Sequence, residues 1–376
     1  MGPVEEEGIR MRKAPRMQWW EPRMGEAEKR RLCAVIDSGF PNDGELSREF
    51  ERRIAALCGT PYAVAVTSGT AALFLALAAC GIGPGDEVIV PDLTFIATAN
   101  AVRLAGAVPV LADIDETSLC LCPESFEKNI TSRTKAVIPV HVSGRSANLE
   151  MITQIAHQHG IKVIEDAAEA LGSGRAGRWL GSFGDAGCFS FTANKIITTG
   201  QGGMVITHSR EIYDRLRELK DHGRRERGTG GADRHDVLGY NFKFTDLQAA
   251  MGLAQLDDLE ARREKLSSLY SLYSEKLSNI PDFRLPGFNL TEGESPLWID
   301  AVARNRDALC AHLDTEAIPY RKFWFPLHTQ KPYLAVAAHF PVASSVSGQA
   351  FWLASSLNLS EENVDFISRS IREYKE

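Results

Sequence analysis

The chain has no apolar run of the roughly 18 residues that a membrane-spanning helix needs, which excludes a helical anchor. Its opening stretch, MGPVEEEGIRMRKAPRM, carries charges where a signal peptide has an apolar core, so residues 1–17 read as a disordered leader. Cysteine is sparse. Cys33, Cys58, Cys80, Cys120, Cys122, Cys188 and Cys310 are an odd, scattered set with no CxxC pair, as expected of reduced thiols in a cytoplasmic protein. Positive charge is also short: a net charge of −7 excludes general affinity for nucleic acid or acidic membranes. No metal-ligand spacing stands out either. His157 and His159, two apart on an expected helix, point to different faces and are not expected to bind metal.

What remains is an ordinary globular composition, and 376 residues suggest two domains at roughly 150 residues each. Short apolar runs alternate with helical spacing. DEVIVP (86–91), VPVLADI (108–114), TKAVIPVHV (134–142) and IKVIED (161–166) read as buried strands. Helices are expected over 44–58, after the polar turn of TSGTAALFLALAAC (67–80), in TANAVRLAG, near 148–159 and over 209–220. This predicts an α/β fold with a mostly parallel sheet flanked by helices. One long charged helix is expected over 246–279. From residue 257 the pattern changes, giving a large domain at 18–256 and a smaller C-terminal α+β domain at 257–376.

Three stretches carry chemistry where elements end, the place at which open α/β sheets bind ligands. TSGT, with Ser68, Gly69 and Thr70, precedes a helix; free amides and hydroxyls there make a phosphate seat, although most such turns are only caps. In VIEDAAEALGS, Glu165 and Asp166 end a strand and Glu169 follows one helical step later. A carboxylate facing a crevice needs a cationic partner; an N-cap explains the pattern equally well. In FSFTANKIITTGQGGMV, Lys195 lies between a buried strand and a loop whose Gly200, Gly202 and Gly203 let backbone approach a ligand. An amine there suits Schiff-base chemistry, and Ser190 is placed to share a phosphate. A phosphate, a ring nitrogen wanting an anion and an aldehyde wanting an amine together describe pyridoxal 5′-phosphate (PLP).

The chain resembles the DegT-like sugar aminotransferases of the fold-type I PLP enzymes, and within them the branch of GDP-perosamine synthases. The likeness runs through roughly residues 18–374 and rests on SGTAAL, GDEVIVPDLTFIATANAV, PVHVSG, EDAAEALGS, GSFGDAGCFSF, NKIITTGQGGM, GYNFKFTDLQAAMGLAQL and FPLHTQKPY. The resemblance implies that Lys195 forms the Schiff base and Asp166 partners the pyridinium. It implies that Ser68, Gly69, Thr70 and Ser190 hold the phosphate, that Phe95 stacks on the ring, and that Glu169 lies near the phenolic oxygen. It implies a homodimer with shared active sites, Asn241 reaching the neighbouring subunit's phosphate. Arg321, Lys322 and His328 match the segment that approaches the sugar. Departures lie on that side: ESPLW lacks a histidine common before the tryptophan, 284–297 is compressed, and Lys322 replaces a proline.

The implied reaction is ping-pong transamination from L-glutamate to a keto-sugar on a nucleoside diphosphate, a 4-keto-6-deoxyhexose of the GDP-perosamine kind. Such sugars serve surface polysaccharides or antibiotics. The alternatives are 3-amination of a dTDP-3-keto sugar, or a keto-cyclitol acceptor. Lys195 would be base and then acid. Arg224, Arg225 and Arg227 are as readily a solvated loop as a diphosphate clamp. A dehydrating branch has histidine where this chain has Lys195, and a non-catalytic PLP-binding regulator would not need Lys195, Asp166, Arg321 and His328 together.

Overall fold

The computed structural model describes residues 17–224, 235, 237–334 and 339–374. The expected leader, apart from Met17, lies outside them, as do Arg225 and Arg227. Helices α1 (Glu26–Ser38) and α2 (Glu45–Cys58) lead into β1 (Tyr62–Val66) and α3 (Gly69–Ala79). There follow β2 (Glu87–Pro91), α4 (Ala97–Leu104), β3 (Val108–Ala112), α5 (Pro123–Lys128), β4 (Thr134–Val137), α6 (Leu149–His159) and β5 (Lys162–Asp166). A small hairpin, β6 (Gly174–Arg175) and β7 (Arg178–Trp179), precedes β8 (Ala186–Ser190), β9 (Gly203–Thr207) and α7 (Arg210–Lys220).

These strands form one sheet in the order β1-β9-β8-β5-β4-β2-β3, from which the small hairpin stands apart. All pairings are parallel except those of β9, which runs antiparallel to both β1 and β8. Strands buried on both faces need apolar residues at every position, and Val88, Ile89 and Val90 of β2 are fully buried. Helix α3 is apolar around its whole circumference because it lies in the core, packed on α4, α7 and β8. Regular pairing of β4 stops at Val137, short of the strand expected to 142, because Pro139 has no N–H to give the ladder.

The remainder comprises α8 (Asp246–Leu256), α9 (Leu259–Lys276), β10 (Phe283–Arg284), β11 (Ile299–Ala303), α10 (Arg306–Thr315), β12 (Tyr320–Lys322), α11 (Pro341–Gln349), β13 (Ala350–Leu353) and α12 (Glu361–Glu373). A second sheet, β10-β11-β13-β12, is wholly antiparallel. The single long helix expected over 246–279 is broken at Asp257–Asp258. Asp257 keeps helical backbone angles (φ −61°, ψ −25°) as the C-cap of α8 and pairs with Arg31 (2.9 Å) and Arg53 (2.6 Å), whereas Asp258 (φ −107°, ψ 9°) leaves them and takes the N-cap position of α9.

The apolar circumference of α8 is also explained within one chain. Helices α1 and α2 pack on it, and Ala249, Ala250 and Leu253 are at most 1% exposed. A Cβ on Gly252 would lie 2.8 Å from the Phe50 ring and 2.9 Å from Thr199 Cγ2. The inference that a subunit partner must cover a second apolar face of α8 is therefore overturned, since its own chain covers it.

Candidate active site

A cavity of about 340 Å³ opens where β5, β8 and the start of α3 converge beneath the second sheet. Its floor begins at α3. Ser68 is the N-cap, accepting from Ala71 N at 3.1 Å, and the first amides of any helix have no acceptor within it. Two glycines bring other strands against this turn: a Cβ on Gly69 would lie 2.9 Å from Ser190 Cβ, and one on Gly203 would lie 2.2 Å from Ser68 O. Ser68, Gly69, Thr70 and Ser190 thus line one end of the cavity. A helix N-terminus flanked by hydroxyls suits a phosphate.

Asp166 lies deeper, its Oδ2 accepting from Thr98 Oγ1 (2.8 Å) and Oδ1 from Ala168 N (3.2 Å). Burial pushes its carboxyl above the usual range against these bonds and the charge of Lys195. Glu169 is raised by burial too. Its Oε2 accepts from Ser143 N at 2.9 Å, while Oε1 is 3.5 Å from Lys195 Nζ. Nζ also lies 4.7 Å from the centroid of the Trp298 ring.

The backbone around Lys195 is pinned from distant segments. Trp20 Nε1 donates to Ala193 O (3.1 Å), Trp298 Nε1 to Asn194 O (3.2 Å) and Arg262 Nη1 to Ile196 O (3.2 Å). Sequence reasoning missed Trp20, Trp298 and Arg262 in this role, since nothing near them in the chain refers to the lysine loop. Glu165, weighed evenly between cap and function, serves structure: it accepts from Gly181, Phe183 and Gly184 amides and meets His141 Nε2 at 2.9 Å.

At the open side, Phe95 is 51% exposed and lines the cavity. Arg321 does so too, its guanidinium 5.1 Å from the Trp19 ring and 5.6 Å from that of Trp352. Three expected residues are elsewhere. Lys322, next along β12, faces the other way and pairs with Asp307 at 2.8 Å, which corrects its placement beside Arg321; strand alternation requires the separation. His328 binds Asp92 through both its backbone N (2.9 Å) and Nδ1 (2.6 Å), outside the cavity lining. Asn241 is exposed, bridged to Asp221 and not among the residues lining its own chain's cavity. Arg224 donates to Asp221 at 3.1 Å. Among the described residues no cluster of three or more His, Cys, Asp or Glu could hold a metal, and no helix is long and apolar enough to cross a membrane.

A lysine amine, two raised carboxyls and an anion seat at the ends of the central strands of a mostly parallel sheet define an aminotransferase of fold type I. The chain belongs to the DegT/DnrJ/EryC1/StrS aminotransferase family, whose profile matches residues 22–372. It is 36% identical over 363 residues to GDP-perosamine synthase of Escherichia coli O157:H7, covering 94% of this chain and 97% of that one. Among solved structures it is similar to DesI, crystallised in the presence of its TDP-sugar product (TM-score 0.87, 30% identity, 94% and 91% of the chains covered). It is also similar to Spr1654 of Streptococcus pneumoniae in its PLP form (TM-score 0.88, 26% identity, 94% and 97% covered).

Proposed function

We propose that this aminotransferase binds PLP and moves an amino group from an amino acid, L-glutamate, to a keto-sugar carried on a nucleoside diphosphate, a 4-keto-6-deoxyhexose of the GDP-perosamine kind. The observation that carries this reading is the single cavity shared by Lys195, Asp166 and the seat built from α3, Ser190 and Gly203. The residues fit the cofactor: Ser68, Gly69, Thr70 and Ser190 would hold its phosphate, Phe95 would cover its ring and Glu169 would face its phenolic oxygen. When bound, PLP supplies an electron-withdrawing ring and an aldehyde carbon that carries the amino group between substrates.

The chain's own residues do the rest. Asp166, made costly to ionise by burial, gains a partner when a ring N–H faces it, and its negative charge then keeps that nitrogen protonated. Lys195 Nζ would be the base that takes a proton from the donor's α-carbon and the acid that delivers it to the cofactor's former aldehyde carbon instead of back to the donor. Glu169 Oε1, 3.5 Å away, is placed to orient Nζ. Arg321, over the rings of two tryptophans and lining the cavity, fits an anionic group of a substrate. Asn241 would serve the phosphate of a second subunit in a homodimer, which accords with its exposure.

The test is chemical. Borohydride reduction of the PLP-loaded protein is expected to fix a phosphopyridoxyl group on Lys195, seen by peptide mass spectrometry. The adduct on another lysine, or none, overturns the reading.

A further inference from the structure

Each polar atom of Ser143 reaches a different part of the active-site wall. It sits in the left-handed region (φ 53°, ψ 19°), uncommon outside glycine. Its N–H donates to Glu169 Oε2 at 2.9 Å, and its carbonyl accepts from Leu297 N at 2.8 Å, beside Trp298. Its hydroxyl donates to Asp300 Oδ1 at 2.8 Å and accepts from Trp352 Nε1 at 3.2 Å. Trp298 and Trp352 both line the cavity, and Lys195 Nζ lies over the first. Asp300 in turn is 2.5 Å from Arg145 Nη2, and Arg145, only 2% exposed, stacks over Phe288 and donates from Nε to Ser118 O at 2.9 Å.

A left-handed serine is retained only where its surroundings over-determine it. Here they do, and they tie the second sheet, through Asp300 of β11 and Trp352 of β13, to the carboxylate that faces the reacting amine. We infer that Ser143, held by Asp300 and Arg145, is a positioning residue for the transamination, acting through Glu169 on Lys195. The inference rests on the reading of Lys195 as the reacting amine. The Ser143 amide favours the ionised form of Glu169 against the burial that raises its carboxyl, and Glu169 Oε1 lies 3.5 Å from the amine; Asp166 and Arg321 are the other charged groups lining the cavity.

The experiment uses cofactor-free protein, so that it reads the coupling without PLP. The pH dependence of Lys195 acylation is measured by trace labelling and peptide mass spectrometry in the parent, Ser143→Ala, Ser143→Gly, Glu169→Gln and the double variant Ser143→Ala/Glu169→Gln. Loosening Ser143 weakens Glu169 as a counter-ion, so Ser143→Ala is expected to move the Lys195 profile to lower pH by roughly half a unit or more. Glu169→Gln should move it the same way. The double variant should coincide with Glu169→Gln alone, because both act through one carboxylate. An unmoved profile in Ser143→Ala, or additive shifts in the double variant, overturns the inference. Should Ser143→Ala fail to fold, Ser143→Gly, which suits the left-handed backbone but lacks the hydroxyl, gives the same decision. Borohydride trapping on Lys195 is scored separately, so failure of the functional reading is distinguishable from failure of this one.

Discussion

Asp166 holds a charge-bearing group where the folded chain would sooner have a neutral one. Its carboxyl titrates above the usual range because burial outweighs Thr98 Oγ1, Ala168 N and Lys195. A raised folded-state value means that its contribution to stability is fully present below the unfolded-state value and is lost as pH rises through the folded one. Cofactor-free Asp166→Asn is therefore expected to be more stable than the parent at pH 8, with the gap closing as pH falls toward the ordinary carboxylate range. Urea unfolding at several pH values checks this, and a gap that widens on acidification contradicts it. The same variant should lose most of its glutamate half-reaction. Lys195 and Asp166 were legible in sequence because each is flanked by its own structural context, a buried strand and a loop. Ser143, Trp19 and Trp20 were not, since their partners lie far along the chain, as with Trp20 and Ala193.

Helix α8 shows how an element can be located correctly and explained wrongly. Its apolar pattern marked a helix, yet the pattern cannot say whether the second covered face meets another subunit or α1 and α2. Gly252 decides between ordinary and crowded surroundings. In an exposed helix interior Gly→Ala is worth about 1 kcal/mol in favour of alanine. Here the added methyl would press on Phe50 and Thr199, and Gly252→Ala is expected to destabilise by about 1–3 kcal/mol instead. A denaturant midpoint that rises would contradict the packing described. The break at Asp257–Asp258 was illegible for a related reason: the arginines that pair with Asp257 there belong to α1 and α2, at the other end of the sequence. The strands β2 to β5 were legible because a strand buried on both faces shows locally as an apolar run, whereas β1 (Tyr62–Val66) and the four short strands of the second sheet were not read from the sequence.

For the whole molecule the open matter is the second subunit. Asn241 is exposed and not among the residues lining its own chain's cavity, so its expected role needs a neighbour. Mixing Lys195→Ala subunits with Asn241→Ala subunits should create one site bearing both native residues, and the heterodimer is expected to turn over faster than either parent. Subunit exchange that gives no gain would place the phosphate contacts within one chain. The sheet order carries a consequence for how the protein is made. β1 lies at the sheet edge, and its ladder partner is β9, so residues 62–66 have nothing to pair with until residues 203–207 exist. A chain growing on a ribosome must carry this apolar strand unpaired while the stretch between β1 and β9, more than a third of the protein, is synthesised, a state prone to association. Nascent chains arrested before residue 203 are thus expected to bind holdase chaperones, and those arrested after β9 has cleared the exit tunnel to release them.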